Sequence, residues 1–132
     1  MEEICAPDGR TLAWVVRADF SPPGFHFVGG PEHPLQLGVN TYLKGEEVRA
    51  HVHIPRDVVI REVEEVVHVD RGEISVDLFD TSGNRVRTLE LSSGDTILFV
   101  AGGHGIRILG DTRIIEVKQG PYSGKVHDKR FI

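Results

Sequence analysis

The stretch GEEVRAHVHI, Gly45 to Ile54, decides how this chain is read. It sets His51 and His53 on either side of one valine. Side chains alternate along a β-strand. A strand over 47–53 therefore gathers Glu47, Arg49, His51 and His53 on one face and Val48, Ala50 and Val52 on the other. Taken alone, the pattern is better read as an ordinary amphipathic strand whose histidines stand in water.

The neighbouring segments add weight to a shared site. Glu65 to Gly72 (EVVHVDRG) reads as a strand ending in a glycine turn, with Glu65, Val67 and Val69 on one face. A carboxylate on an apolar face is costly unless it is paired or ligates a metal. Further on, Gly102-Gly103-His104-Gly105 opens a segment in which His104, Ile106 and Ile108 share a face. Three segments thus each offer a ligand-type residue beside apolar ones. Three imidazoles and one carboxylate suit a divalent transition metal.

The rest of the chain reads as all-β. Runs rich in Val, Ile, Leu and Thr are separated by Gly, Asp, Asn and Pro. Strands are predicted at Leu12–Arg17, Leu35–Leu43, Glu47–His53, Val58–Val63, Glu65–Asp70, Ile74–Phe79, Arg85–Leu91, Thr96–Val100, Gly105–Leu109 and Arg113–Lys118. Asp80–Asn84 (DTSGN), Ser92–Asp95 (SSGD) and Gly110-Asp111 read as hairpin loops. Ser21–Pro34, rich in Pro and Gly, reads as a long surface loop or edge, and Gly120–Ile132 as a tail across the barrel. Many short, evenly spaced strands point to a sandwich or barrel.

The order G-x5-H-x-H, then E-x6-G, then G…H resembles the two motifs of the cupin superfamily. The first motif is carried by Gly45, His51, His53, Glu65 and Gly72, the second by Gly94, Gly102 and His104. The resemblance implies a single cupin domain over 1–132, with its core at about 35–118. It implies a double-stranded β-helix, or jelly-roll barrel, with His51, His53, Glu65 and His104 as metal ligands. The ion would be one divalent transition metal, with Fe, Mn, Ni, Co and Zn undistinguished. The segment Ile115–Tyr122 (IEVKQGPY) is similar to the end of an uncharacterised subgroup of small bacterial cupins associated with surface-polysaccharide genes. The chain departs from the family pattern at several points. Eleven residues, Ile54 to Glu64, separate His53 from Glu65 where cupins have a short gap. Val100 replaces the usual proline, the second motif is one residue short before His104, and Ile108 replaces a closing asparagine.

Other side chains carry two readings each. Glu116 and Lys118 share a strand face, either as an exposed pair or as an inward pair near the pocket. Arg49 either holds an anionic ligand or lies at the rim. Glu62 and Glu64 have the opposite parity to Glu65, so either would ligate only through a bulge. His26 and His33 read as solvated loop residues, with a place at the barrel mouth as the alternative, His127 as solvated, His68 as a surface or interface residue, and Tyr42 and Phe99 as core. The stripe Val48, Ala50, Val52 needs cover if the histidines face inward, which predicts a homodimer.

Composition narrows the function. The chain has 132 residues, 39% hydrophobic and 27% charged, which suits one globular domain. A net charge of −5, with no basic cluster beyond the short Lys129-Arg130 pair, gives no footprint for nucleic acid or an anionic membrane. No apolar run has the length of a membrane span, and the opening MEEICAPDGR does not read as a signal peptide. One cysteine, Cys5, allows no internal disulfide and fits a cytoplasmic setting. The cupin resemblance implies a metal-dependent protein acting on or binding a small oxygenated metabolite, such as a sugar derivative. Two alternatives stand: a metal-free keto-sugar isomerase or epimerase with His51 or His53 as base, and a non-catalytic module that binds a small ligand or metal. The sequence assigns no catalytic residue.

Overall fold

The structure, a computed structural model, describes residues 1–122, 124 and 128–132, so His127 lies outside the described residues. It is all-β, with ten strands: β1 (Glu2–Cys5), β2 (Thr11–Val16), β3 (Gly24–Val28), β4 (Leu37–Thr41), β5 (Glu65–Arg71), β6 (Glu73–Phe79), β7 (Arg85–Ser92), β8 (Thr96–Phe99), β9 (Gly103–Ile108) and β10 (Arg113–Lys118). Every named pairing is antiparallel. No helix of the described residues is long and apolar enough to cross a membrane.

Three sheets form, in the orders β1-β2-β8-β5-β10, β7-β6-β9 and β3-β4. The five-stranded and three-stranded sheets face each other across the main core and remain open; they do not close into a barrel. Alternation explains how the large sheet buries both faces. Ala13 and Val15 of β2, Ile97 and Phe99 of β8, and Val67 and Val69 of β5 point into the main core. Their neighbours Trp14, Val16, Leu98 and Val66 point the other way, into a second apolar cluster with Val28 and Val100. The β3–β4 hairpin and its loop cover that second face with Val28, Leu35, Leu37 and Val39. Near-continuous apolar runs such as LAWVV and TILFV are the signature of strands buried on both sides.

The small sheet has one apolar and one polar face. Ile74, Val76 and Leu78 of β6 enter the core. Ser75 and Asp77 point outward and are roofed by β9: Arg107 Nη1 donates to Asp77 Oδ2 at 2.7 Å and Nη2 to Ser75 Oγ at 2.9 Å. Arg107 thus has the parity opposite to His104.

Several sequence expectations are corrected. Residues 47–53 and 58–63 form no strand; 42–63 run as an exposed segment without a ladder. β-rich sequence becomes a strand only where another strand satisfies its amides, and these residues have no such partner. Two strands were not predicted, β1 and β3. β1 is short and polar, and β3 lies inside the Pro/Gly-rich stretch read as a loop or edge. Asp80–Asn84 does join a hairpin, β6 to β7. Ser92–Asp95 and Gly110-Asp111 do not: each carries the chain from the small sheet to the large one, as Gly72 carries it back. Gly72 has φ +91°, and a Cβ there would lie 2.5 Å from the Asp111 carbonyl oxygen. Tyr42, read as core, is exposed, whereas Phe99 is buried as expected.

Leu98 is fully buried between the hairpin and the large sheet. Leu98→Ala is expected to lower the unfolding free energy by about 2–5 kcal/mol in urea titration. A loss below about 1 kcal/mol, the level of a surface substitution, would show that the hairpin is not packed there.

Candidate functional site

Glu64 and Glu65 begin the site, because strand alternation sends these adjacent carboxylates to opposite faces. Glu65 points with Val67 toward the space between the sheets, as its parity requires, and is 6% exposed. Glu64 points into the hairpin side, 3% exposed. It is fully used there: it accepts from the Leu35 amide at 3.0 Å and meets His33 Nδ1 at 2.7 Å. Its own amide donates to Gln119 Oε1 at 2.9 Å. His33 was read as solvated, but it is largely covered, with its ring edge-on to Trp14 at 5.1 Å. Sequence spacing gives no sign of that contact, which depends on the hairpin folding over the sheet.

Glu65 sits opposite Phe99 on β8 and Lys118 on β10. Its Oε1 lies 3.7 Å from His104 Nε2 on β9, in the facing sheet. The His104 ring stacks on Phe99, with centroids 4.0 Å apart and planes 14° from parallel. Phe99 therefore fixes the imidazole from the large-sheet side and turns its Nε2 toward the carboxylate. Burial pushes Glu65 above the usual glutamate range, and the nearby Glu116 charge adds to that. Burial also holds His104 below its ordinary value, aided by Lys129. Near neutral pH the imidazole is uncharged, so the two groups face each other without forming an ion pair.

They open onto a cleft of about 900 Å³. Its walls include Phe79, Gly102–Ile106 and the end of β10, and 128–132 lies along it. Glu116 and Lys118 line this cleft, which favours the inward reading of that pair. Lys118 Nζ is 2.5 Å from Asp128 Oδ2 and 3.8 Å from Glu116 Oε1. Asp128, Lys129 and Arg130 also line the cleft; the sequence marks Lys129-Arg130 only as a short basic pair and gives Asp128 no role. The only hint was that Gly120–Ile132 was expected to cross this part of the fold.

His51 and His53 stand elsewhere, on the exposed segment. Their rings meet edge-on at 5.1 Å, and His51 Nδ1 donates to the Arg49 carbonyl oxygen at 2.8 Å. Neither lines the cleft, and Arg49 is exposed beside them. The four expected ligands therefore fall into two pairs, His51–His53 and Glu65–His104. Among the described residues, no group of three or more His, Cys, Asp or Glu is gathered closely enough to hold a metal ion. His68 is half-buried on the hairpin side, with its Nδ1 2.9 Å from Thr96 Oγ1.

The chain matches no protein-family model, and it has no significant match among curated proteins or solved structures.

The two shifts give opposite pH dependences. Between pH 4.5 and its raised folded value, Glu65 keeps a proton in the folded state that the unfolded state has lost. Stability falls as pH rises through that window. Between its lowered folded value and pH 6.5, His104 stays neutral while the unfolded imidazole is charged, so stability falls as pH drops through that window. In EDTA, Glu65→Gln is expected to raise the urea midpoint at pH 8 relative to the unsubstituted chain. The gain should disappear below pH 4.5, where both states are protonated. An equal effect at both pH values would mean that the carboxylate is not desolvated.

Proposed function

We propose that this chain is a cupin-type metal-binding protein acting on or binding a small oxygenated metabolite, such as a sugar derivative. The observation that carries the reading is the Glu65–His104 pair, held face to face between two sheets at the mouth of a cleft. Their 3.7 Å separation is too long for a hydrogen bond. It is close to the roughly 3–3.5 Å that separates two ligands of one tetrahedral or octahedral cation. An uncharged imidazole keeps its lone pair for a metal, and the buried carboxylate gains from any cation brought beside it.

One carboxylate and three imidazoles suit a divalent transition metal. Where they stand, Glu65 and His104 fit as two ligands, while His51 and His53 are not gathered with them. When bound, such an ion supplies Lewis-acid polarisation of a carbonyl or hydroxyl group, or activation of a water. The chain's own residues do the rest. Phe99 orients His104, the cleft walls hold the metabolite, and Lys118 offers a cation already shared between Asp128 and Glu116. We read the two facing sheets as the two halves of a jelly roll, with residues 42–63 outside its ladders.

A second reading draws on the same pair. A partly covered, uncharged His104 beside a carboxylate is also an acid–base couple for a metal-free isomerase of keto sugars. Elemental mass spectrometry on the untagged protein separates the two. The expected result is one divalent metal per chain, lost in Glu65→Gln and in His104→Ala. Protein that stays metal-free after reconstitution, yet turns over a keto sugar and loses that activity in His104→Gln, would replace the first reading with the second.

A further inference from the structure

Lys118 is the cation most firmly placed at the cleft. It stands directly across from Glu65 in the β5–β10 ladder, so the two side chains share a face at the mouth. Its side chain is 13% exposed. Its Nζ lies 4.8 Å from the centre of the Tyr122 ring, 3.8 Å from Glu116 Oε1 and 2.5 Å from Asp128 Oδ2. Tyr122 and Glu116 belong to β10 and its exit. Asp128 arrives from farther along the chain, on 128–132. That segment has a separate anchor: Ile132 lies over Gly103 of β9, where a Cβ would come 2.8 Å from Ile132 Cδ1. The Asp128 side chain can therefore turn aside while the segment stays in place.

The charges point the same way. Two acids at the cleft are engaged elsewhere. Glu62 pairs with Arg10 at 2.5 Å, and Asp80 accepts from the Ser82 and Asn84 amides within its own turn. Among the described residues, the other acids lining the cleft are Glu65, Glu116 and Asp128, set against Lys118, Lys129 and Arg130. With every acid ionised this set is neutral, and it becomes singly positive once Asp128 turns away. A partly desolvated ammonium group without an anionic partner is unfavourable. The Asp128 carboxylate thus marks a position in the cleft where a carboxylate is held.

We propose that the metabolite of this cleft carries one carboxylate, which takes the place of the Asp128 carboxylate on Lys118, with Lys129 and Arg130 beside it. The inference rests on the cleft being a small-metabolite site, and it needs no metal. A single negative charge restores neutrality, whereas a phosphate monoester brings about two and overshoots. The Lys118 ammonium is already held against Tyr122 and Glu116, so little further ordering is needed when the ligand arrives. Asp128 is then a competitor built into the chain. A ligand without a charge does not displace it, so Asp128 sets the selectivity of the cleft for acids.

The test is calorimetric titration of the full chain in EDTA with three probes that differ in charge: glucuronate, its uncharged methyl ester and glucose 6-phosphate. Glucuronate is expected to bind more tightly than either of the others. Asp128→Asn is expected to tighten glucuronate binding about fivefold, the size of a partly exposed ion pair, and to leave the ester unchanged. Lys118→Met is expected to abolish glucuronate binding, and Lys118→Arg to keep most of it, which separates loss of the cation from loss of the fold. Glucuronate binding that is unchanged or weakened in Asp128→Asn would overturn the proposal. An ester that binds as tightly as the acid would reject the carboxylate and leave the small-metabolite reading of the cleft standing. Tighter binding of the phosphate would reject the match to a single charge. No binding of any probe, with or without Asp128, would overturn the proposal and the metabolite cleft together, while metal found by elemental analysis would still support the metal site.

Discussion

The period-two alternation of a strand buried on both sides governs this molecule. β5 and β8 lie in the interior of the large sheet, so each of their residues meets either the main core or the hairpin cluster. A one-residue slip would exchange the two sets and bring both carboxylates to the wrong face. Glu64 would leave His33 and the Leu35 amide, and Glu65 would leave the cleft. The apolar neighbours Val66, Val67 and Val69 pin the register that sends one acid to the hairpin side and the other to the cleft.

This is also why so much of the fold was legible. The runs in β2, β5, β6 and β8 are apolar enough to demand burial wherever they lie, and these strands, like the more exposed β10, fall within a residue or two of where the sequence places them. The inward set of Glu65 and the opposed set of Glu64 follow from parity alone. His104, behind two glycines, likewise falls on the side of β9 that faces the core.

What parity does not supply is a partner. The segment 47–63 has the residues of a strand, yet strand formation is settled by what lies beside it, and nothing in a one-dimensional pattern specifies that neighbour. His33 shows the converse. A polar loop residue by its surroundings in sequence, it becomes covered because the hairpin folds it against Trp14 and Glu64. The cleft-lining Asp128, Lys129 and Arg130 were obscure for the same reason, since their role depends on where the last residues lie against β9 and β10.

The crossings between the sheets shape the site from a distance. Gly72 and residues 110–112 stack at one end of the fold, where Thr112 Oγ1 is 3.1 Å from the Glu73 carbonyl oxygen and 3.2 Å from the Glu73 amide nitrogen. Ser93, from the third crossing, receives the Gly72 amide at 3.0 Å. Glu65, Phe79, His104 and Lys118 all lie at the opposite ends of their strands. A further crossing ties the sheets at that end too: residues 100–102 run from β8 in the large sheet to β9 in the small one, leaving Phe99 on one side and His104 on the other. The sandwich is therefore stapled at both ends, and the gap between Glu65 and His104 is spanned by a tie of three residues, too short to let those two groups drift apart.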